Sequence, residues 1–195
     1  EGWADDIIGS LNNPIELCDS GKGLDVIEGE DHSHNHQDED ENKESHNHDE
    51  HDHSALDPHT WTSPKMAIKQ MENIKNKFVQ LDPANAAYYT ENYNEAMEDF
   101  SKLDNEFKTK IKSFSSKDLI VSHEAFSYMA KDYGLNQIGI EALIPESEPT
   151  PQKMAEIIDF VKENDIKAIY FENNASSKVA DAIANETGVK VLSLN

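Results

Sequence analysis

The chain has 195 residues, enough for one large domain or two small ones with a real core. Its 39 acidic residues outnumber 17 basic ones, all of them lysine, for a formal net charge of −22. That balance excludes a nucleic-acid partner, which needs a basic face, and makes cations the natural small ligands.

The chain opens at Glu1-Gly2-Trp3 without an initiator methionine or signal peptide, and is read as cut there from a longer protein. Residues 1–28 mix a short helical pattern (Trp3, Ile7, Ile8, Leu11) with strand-like runs at 15–17 and 24–27. Cys18 is the only cysteine, which rules out an internal disulfide and a cysteine-rich zinc knuckle; it is read as a small hydrophobe. Between Asp31 and His53 lie 23 residues, DHSHNHQDEDENKESHNHDEHDH, with seven of the chain's nine histidines, nine carboxylates and no apolar residue. Such a segment cannot bury enough surface to offset its ordering entropy, so residues 29–55 are expected to form a mobile loop. The H-x-H spacing recurs at His32, His34 and His36, at His46 and His48, and at His51 and His53. Neutral imidazoles crowded among carboxylates coordinate borderline-soft divalent cations, zinc above all, so these seven are candidate auxiliary metal ligands.

Ser63-Pro64 then starts a helix by N-cap and first-position proline, with the stripe Ile68, Met71, Ile74, Phe78 and Leu81. Asp82-Pro83 repeats the signal. The helix it opens carries Tyr89, Tyr93, Ala96, Phe100, Leu103, Phe107, Ile111 and Phe114, a stripe read as core packing. Over 83–114 that helix would span about 48 Å, the length of a strut joining two lobes. From Lys117 the pattern alternates. Strands are predicted at Leu119–Val121, Gln137–Ile140, Ala168–Phe171 and Val189–Leu192, and helices at 124–133, 151–164 and 176–187. The helix at 151 opens with Thr150-Pro151 and buries Met154, Ile157, Ile158 and Val161. Gly134 and Gly188 stand where left-handed C-caps belong. The whole reads as βαβ units on a parallel sheet, an α/β fold, and stops at Asn195 directly after a strand-like run, a second apparent cut. The predicted domains are 1–62, including the loop, then linking helices over 63–115, then an α/β lobe over 116–195.

Two histidines stand outside the loop. His59 lies in Asp57-Pro58-His59-Thr60-Trp61, a rigid turn before a helix, and His123 ends the strand LIVSH before another helix. Ligands of open α/β sheets bind beyond the carboxyl ends of strands, which makes His123 a candidate metal ligand, and His59 with it. Glu172 ends the strand AIYFE and reads first as a solvated strand terminus, with a general base or a group supporting the site as the alternatives. His123-Glu124 begins like H-E-x-x-H, but position 127 is Ser127, so the zincin helix fails. No nucleophile elbow, Walker loop or dinucleotide fingerprint is present, and no nucleophile, base and oxyanion site assemble into an enzyme.

DPHTW at 57–61, LDPANAAYYTENY at 81–93, VSHEAF at 121–126 and GIEALIPESEPTP at 139–151 together resemble the metal-binding solute receptors of ABC transporters. The similarity is to the zinc-specific branch, whose members often carry a His- and Asp-rich loop just before the DPH motif. The resemblance implies two α/β lobes joined by a long rigid helix, with one metal ion held in a cleft between them. It implies His59 and His123 as Zn2+ ligands, one more histidine upstream of Glu1 and a carboxylate or water downstream of Asn195. Manganese-selective relatives place glutamate at the second position, so His123 favours zinc. It further implies an exported receptor, periplasmic or held to the outer face of the membrane by a lipid anchor, that hands zinc to a membrane permease. The rival readings are a manganese receptor of the same fold and an extracellular zinc buffer or chaperone whose loop does most of the binding.

Overall fold

The computed structural model describes residues 7–10, 15–28, 56–141, 149–172 and 177–194. The predicted loop over 29–55, and with it all seven of its histidines, lies outside the described residues, as do Trp3 and Leu11. The described residues fall into two compact units, the first drawn from 1–24 and 64–107 and the second from 25–63 and 108–195.

The first unit is helical. Helix α1, Pro64–Leu81, is followed by a 3-10 turn at Pro83–Asn85 and then by α2, Ala86–Lys112, most of which belongs here. At 27 residues α2 runs about 40 Å, shorter than expected, because proline and the tight turn take up its first positions. Phe78 and Tyr89 stack with ring centroids 5.1 Å apart, and the Tyr89 hydroxyl donates to the Asp82 carboxylate at 2.9 Å. The stripe of α1 is buried less than its period suggests: Ile74, Phe78 and Leu81 remain exposed, as does Leu103 of α2. The strand-like run at 15–17 forms no strand. Its segment is tied down by polar contacts instead: Lys77 to the Glu16 carboxylate at 2.8 Å, and Asn73 donating to the carbonyls of Ser20 and Lys22.

The second unit is α/β. Strands β1 (Asp118–His123), β2 (Asn136–Glu141), β3 (Ala168–Glu172) and β4 (Lys190–Leu194) form a parallel sheet in the order β2-β1-β3-β4. Between them run α3 (Ser127–Tyr133), α4 (Pro151–Glu163) and α5 (Lys178–Thr187). Each strand and helix stands where the sequence places it, within a few residues at the ends. Thr150 caps α4 by accepting from the Lys153 amide, and Gly134 and Gly188 end α3 and α5 at φ +68° and +77°, where a Cβ would be strained. The core is aliphatic: Ile120, Ile140 and Ile169 from the sheet meet Ile157 and Val161 of α4 and Ala180 and Ile183 of α5. Removing a side chain such as Ile169, fully buried there, costs about 2–5 kcal/mol. The predicted strand at 24–27 is not one; only the next residue, Glu28, pairs, in an isolated antiparallel bridge to Leu56.

Candidate metal centre

Sheet order fixes where a ligand belongs. The chain leaves β1 for β2 on one side and returns across it to β3 on the other, so the connections diverge between β1 and β3. A crevice opens beyond the carboxyl ends of two such strands. The pairing Val121 with Tyr170 carries forward two residues to His123 and Glu172, the last residues of β1 and β3. Their side chains meet there, His123 Nδ1 lying 3.2 Å from Glu172 Oε1. An ionised carboxylate can only accept, so Nδ1 carries the proton and metal coordination by this ring would run through Nε2.

His59 arrives by a different route. Asp57, two residues earlier, accepts the His59 amide at 2.9 Å and the His59 Nδ1–H at 2.8 Å, both on Oδ1. The first bond makes a turn of the Asx kind, and the second sets the ring's tautomer. The chain then enters a 3-10 turn, Thr60–Thr62, closed by the Thr62 hydroxyl on the His59 carbonyl at 2.8 Å. Ser63, fully buried, donates to the Asp132 carboxylate on α3 and so ties the turn to the sheet's helical layer. Asp57 is 2 % exposed, and its Oδ2 is buried without a partner among the described residues. Tyr128 of α3 lies against it, fully buried, and burial pushes its phenol above the ordinary range, which keeps it a protonated donor.

The two imidazoles come together within the second unit. Their ring centroids are 4.8 Å apart and their planes cross at 80°. Two nitrogens placed tetrahedrally on one zinc would set the centroids about 5 Å apart, so the spacing suits a shared ion. Each ring is braced through Nδ1 by a carboxylate, the arrangement that orients zinc-bound histidines and raises their basicity. Trp61 covers one side of His59 edge-on, at 5.5 Å between centroids, and remains exposed. Among the described residues no third histidine, cysteine or carboxylate joins the pair as a ready-made ligand shell. Ser122, beside His123, is buried with its hydroxyl unbonded among the described residues, so it meets neither imidazole as a nucleophile would.

Of the residues singled out from sequence, His59, His123 and Glu172 converge here, while His32, His34, His36, His46, His48, His51 and His53 lie outside the described residues. Asp57 was overlooked as a separate participant. The D-x-H spacing is the signal that could have found it, since an aspartate two residues ahead can hold both amide and ring. Tyr128 left no such trace, being an ordinary aromatic on a helix face.

Comparison with known proteins follows the same line. A family model described as ZnuA, zinc-uptake complex component A periplasmic, matches residues 1–195. The chain is 43 % identical over 141 residues to the high-affinity zinc uptake system protein ZnuA of Bacillus subtilis (strain 168), covering 72 % of this chain and 44 % of that protein. It is 41 % identical over 141 residues to the zinc-binding protein AdcA of Streptococcus pyogenes serotype M3, covering 72 % of this chain and 27 % of that one. It therefore spans less than half the length of these curated relatives. Among solved structures it superposes on AdcAII of Streptococcus pneumoniae with TM-score 0.80 at 30 % identity, over 100 % of this chain and 66 % of that one. The crystal structure of ZnuA gives TM-score 0.80 at 27 % identity, over 99 % and 66 %.

Proposed function

Since the chain belongs to the family of zinc-uptake complex component A, we propose that it is the zinc-receiving part of a non-catalytic receptor that delivers Zn2+ to an ABC permease. The observation that carries this reading is the His59–His123 pair at the β1/β3 crevice, each ring held at Nδ1 by its own carboxylate. Imidazole nitrogen suits zinc, whereas manganese prefers an all-oxygen shell. The ion is cargo: it enters a tetrahedral shell in which Nε2 of His59 and Nε2 of His123 supply two positions, and other groups or water supply the rest. Asp57 and Glu172 offset part of the ion's charge at the second layer.

The word periplasmic in the family's description supports an exported protein. Attachment to the membrane's outer face through a lipid anchor is the finer reading, supported by the name of a relative, the zinc-binding lipoprotein AdcA of Streptococcus pneumoniae. No described helix is long and apolar enough to cross a membrane. The acidic, histidine-rich run over 31–53 serves as a low-affinity collector that raises zinc concentration beside the crevice.

Titration calorimetry on a chain lacking residues 31–53 tests this. One zinc site is expected to remain, to weaken at least a hundredfold in His59→Ala and in His123→Ala, and to be preferred over manganese in competition. It is expected to weaken strongly between pH 7.5 and pH 5, because protons compete with zinc for the same imidazole nitrogens. Loss of all tight binding with the run would favour a buffer, preference for manganese would reassign the cargo, and equal affinity at both pH values would exclude histidine ligation.

A further inference from the structure

The two ends of the histidine-rich insertion are joined by a small closed circuit of hydrogen bonds. Glu28 and Leu56 form an antiparallel bridge, and one step inside it the Asp57 amide donates to the Ile27 carbonyl at 2.9 Å. Tyr128 completes the circuit from α3. Its hydroxyl donates to the Asp57 carbonyl at 2.7 Å and accepts the Ile27 amide at 3.1 Å. A phenol can do both at once, and no apolar side chain of that shape can do either. The Tyr128 side chain is fully buried, so its hydroxyl is committed to these two backbone groups rather than to solvent.

The same Asp57 whose main chain is held on both sides carries the carboxylate that grips His59 by amide and ring. That carboxylate is itself buried, with Oδ2 unpartnered among the described residues, so its own bonds do not account for its depth. The locked backbone does. We propose that Tyr128 is a positioning residue for zinc: its hydroxyl clasps the base of the insertion and, through Asp57, fixes the orientation in which His59 meets the ion. This rests on the zinc reading above. It adds a chain of command from a residue that touches no metal, and it anchors His59 to α3 whatever the intervening 29–55 segment does.

Tyr128→Phe keeps the ring and removes only the hydroxyl. Zinc affinity is expected to fall roughly tenfold, at the lower end of what supporting shells contribute. In the metal-free chain, the ring 15N shifts of His59 are expected to move toward a mixture of tautomers while those of His123 stay put. In an Asp57→Ala background, which removes the oxygen that accepts from His59, the same substitution is expected to cost little further affinity, because the path to His59 is already broken. Unchanged His59 shifts, or an affinity loss as large in the Asp57→Ala background as in the parent, overturns the proposal. Should Tyr128→Phe not fold, amide exchange on the unmodified chain decides. Zinc must then slow exchange at Ile27 and Asp57, although neither is a ligand, since coupling between sites is reciprocal; unaltered exchange there overturns it. If the parent chain binds no zinc, the receptor reading fails, while the metal-free His59 signature still decides the clasp.

Discussion

His59 and His123 are delivered to one point by unlike means, and their supports should differ in weight. Asp57 is buried, makes two bonds to His59 from one oxygen at 2.8 and 2.9 Å, and sets backbone as well as ring. Glu172 is partly exposed and accepts from the His123 ring at 3.2 Å. Replacing either by alanine is expected to weaken zinc binding by about 10–100-fold, with Asp57→Ala the more damaging. Competition against a chromophoric chelator measures both; no loss would mean the carboxylates do not orient the rings, and equal losses would contradict the difference in weight. That His59 and His123 belong together was legible because their residue type names a chemistry and their positions, at a strand end and in a proline turn, name a place. Glu172 was legible only in part: its place at a strand end fitted a solvated terminus as well as the partner of His123 that it is here. Asp57 was hidden inside a motif read as one unit, and Tyr128 was hidden because its role depends on a hydroxyl meeting two backbone groups far away in sequence, which no spacing records.

The β1–β2 edge shows how an element constrains the site beyond its own ligands. Gly139 of β2 sits opposite Val121, and a Cβ there would lie 2.1 Å from Cγ and 2.6 Å from Oε1 of Glu124, the residue after His123. Glu124 therefore folds back over the neighbouring strand through space that only glycine leaves. Gly139→Ala must swing that side chain away at its base, and is expected to destabilise the fold by about 1–3 kcal/mol. Chemical denaturation checks this. In a Glu124→Ala background the cost should largely vanish, and a cost that persists would place the strain elsewhere. The strands and helices of the second unit were foreseen because they carry local signals: proline at the start of α4, glycine after α3 and α5, aliphatic runs in the strands. The runs at 15–17 and 24–27 had composition without a partner strand, and composition alone pairs with nothing. Likewise the stripe of α1 announced a buried face that remains half-open here, since period reports which side is apolar and not what covers it.

Taken whole, the molecule pairs a strongly negative chain with two imidazoles held side by side. The net charge of −22 draws cations to the surface indiscriminately, while in the proposed function selection falls to two imidazoles whose tilt is governed by carboxylates behind them. Composition made the first half plain before any fold was known. The second half required the sheet order, because only the β2-β1-β3-β4 arrangement sets His123 beside Glu172 at the place where connections part. X-ray absorption at the zinc edge, on the chain lacking residues 31–53 loaded with one equivalent of metal, measures the decisive quantity. The account predicts at least two imidazole nitrogens at about 2.0–2.1 Å from a single ion, reduced by one in His59→Ala and by one in His123→Ala. An imidazole count unaltered by either substitution would contradict it.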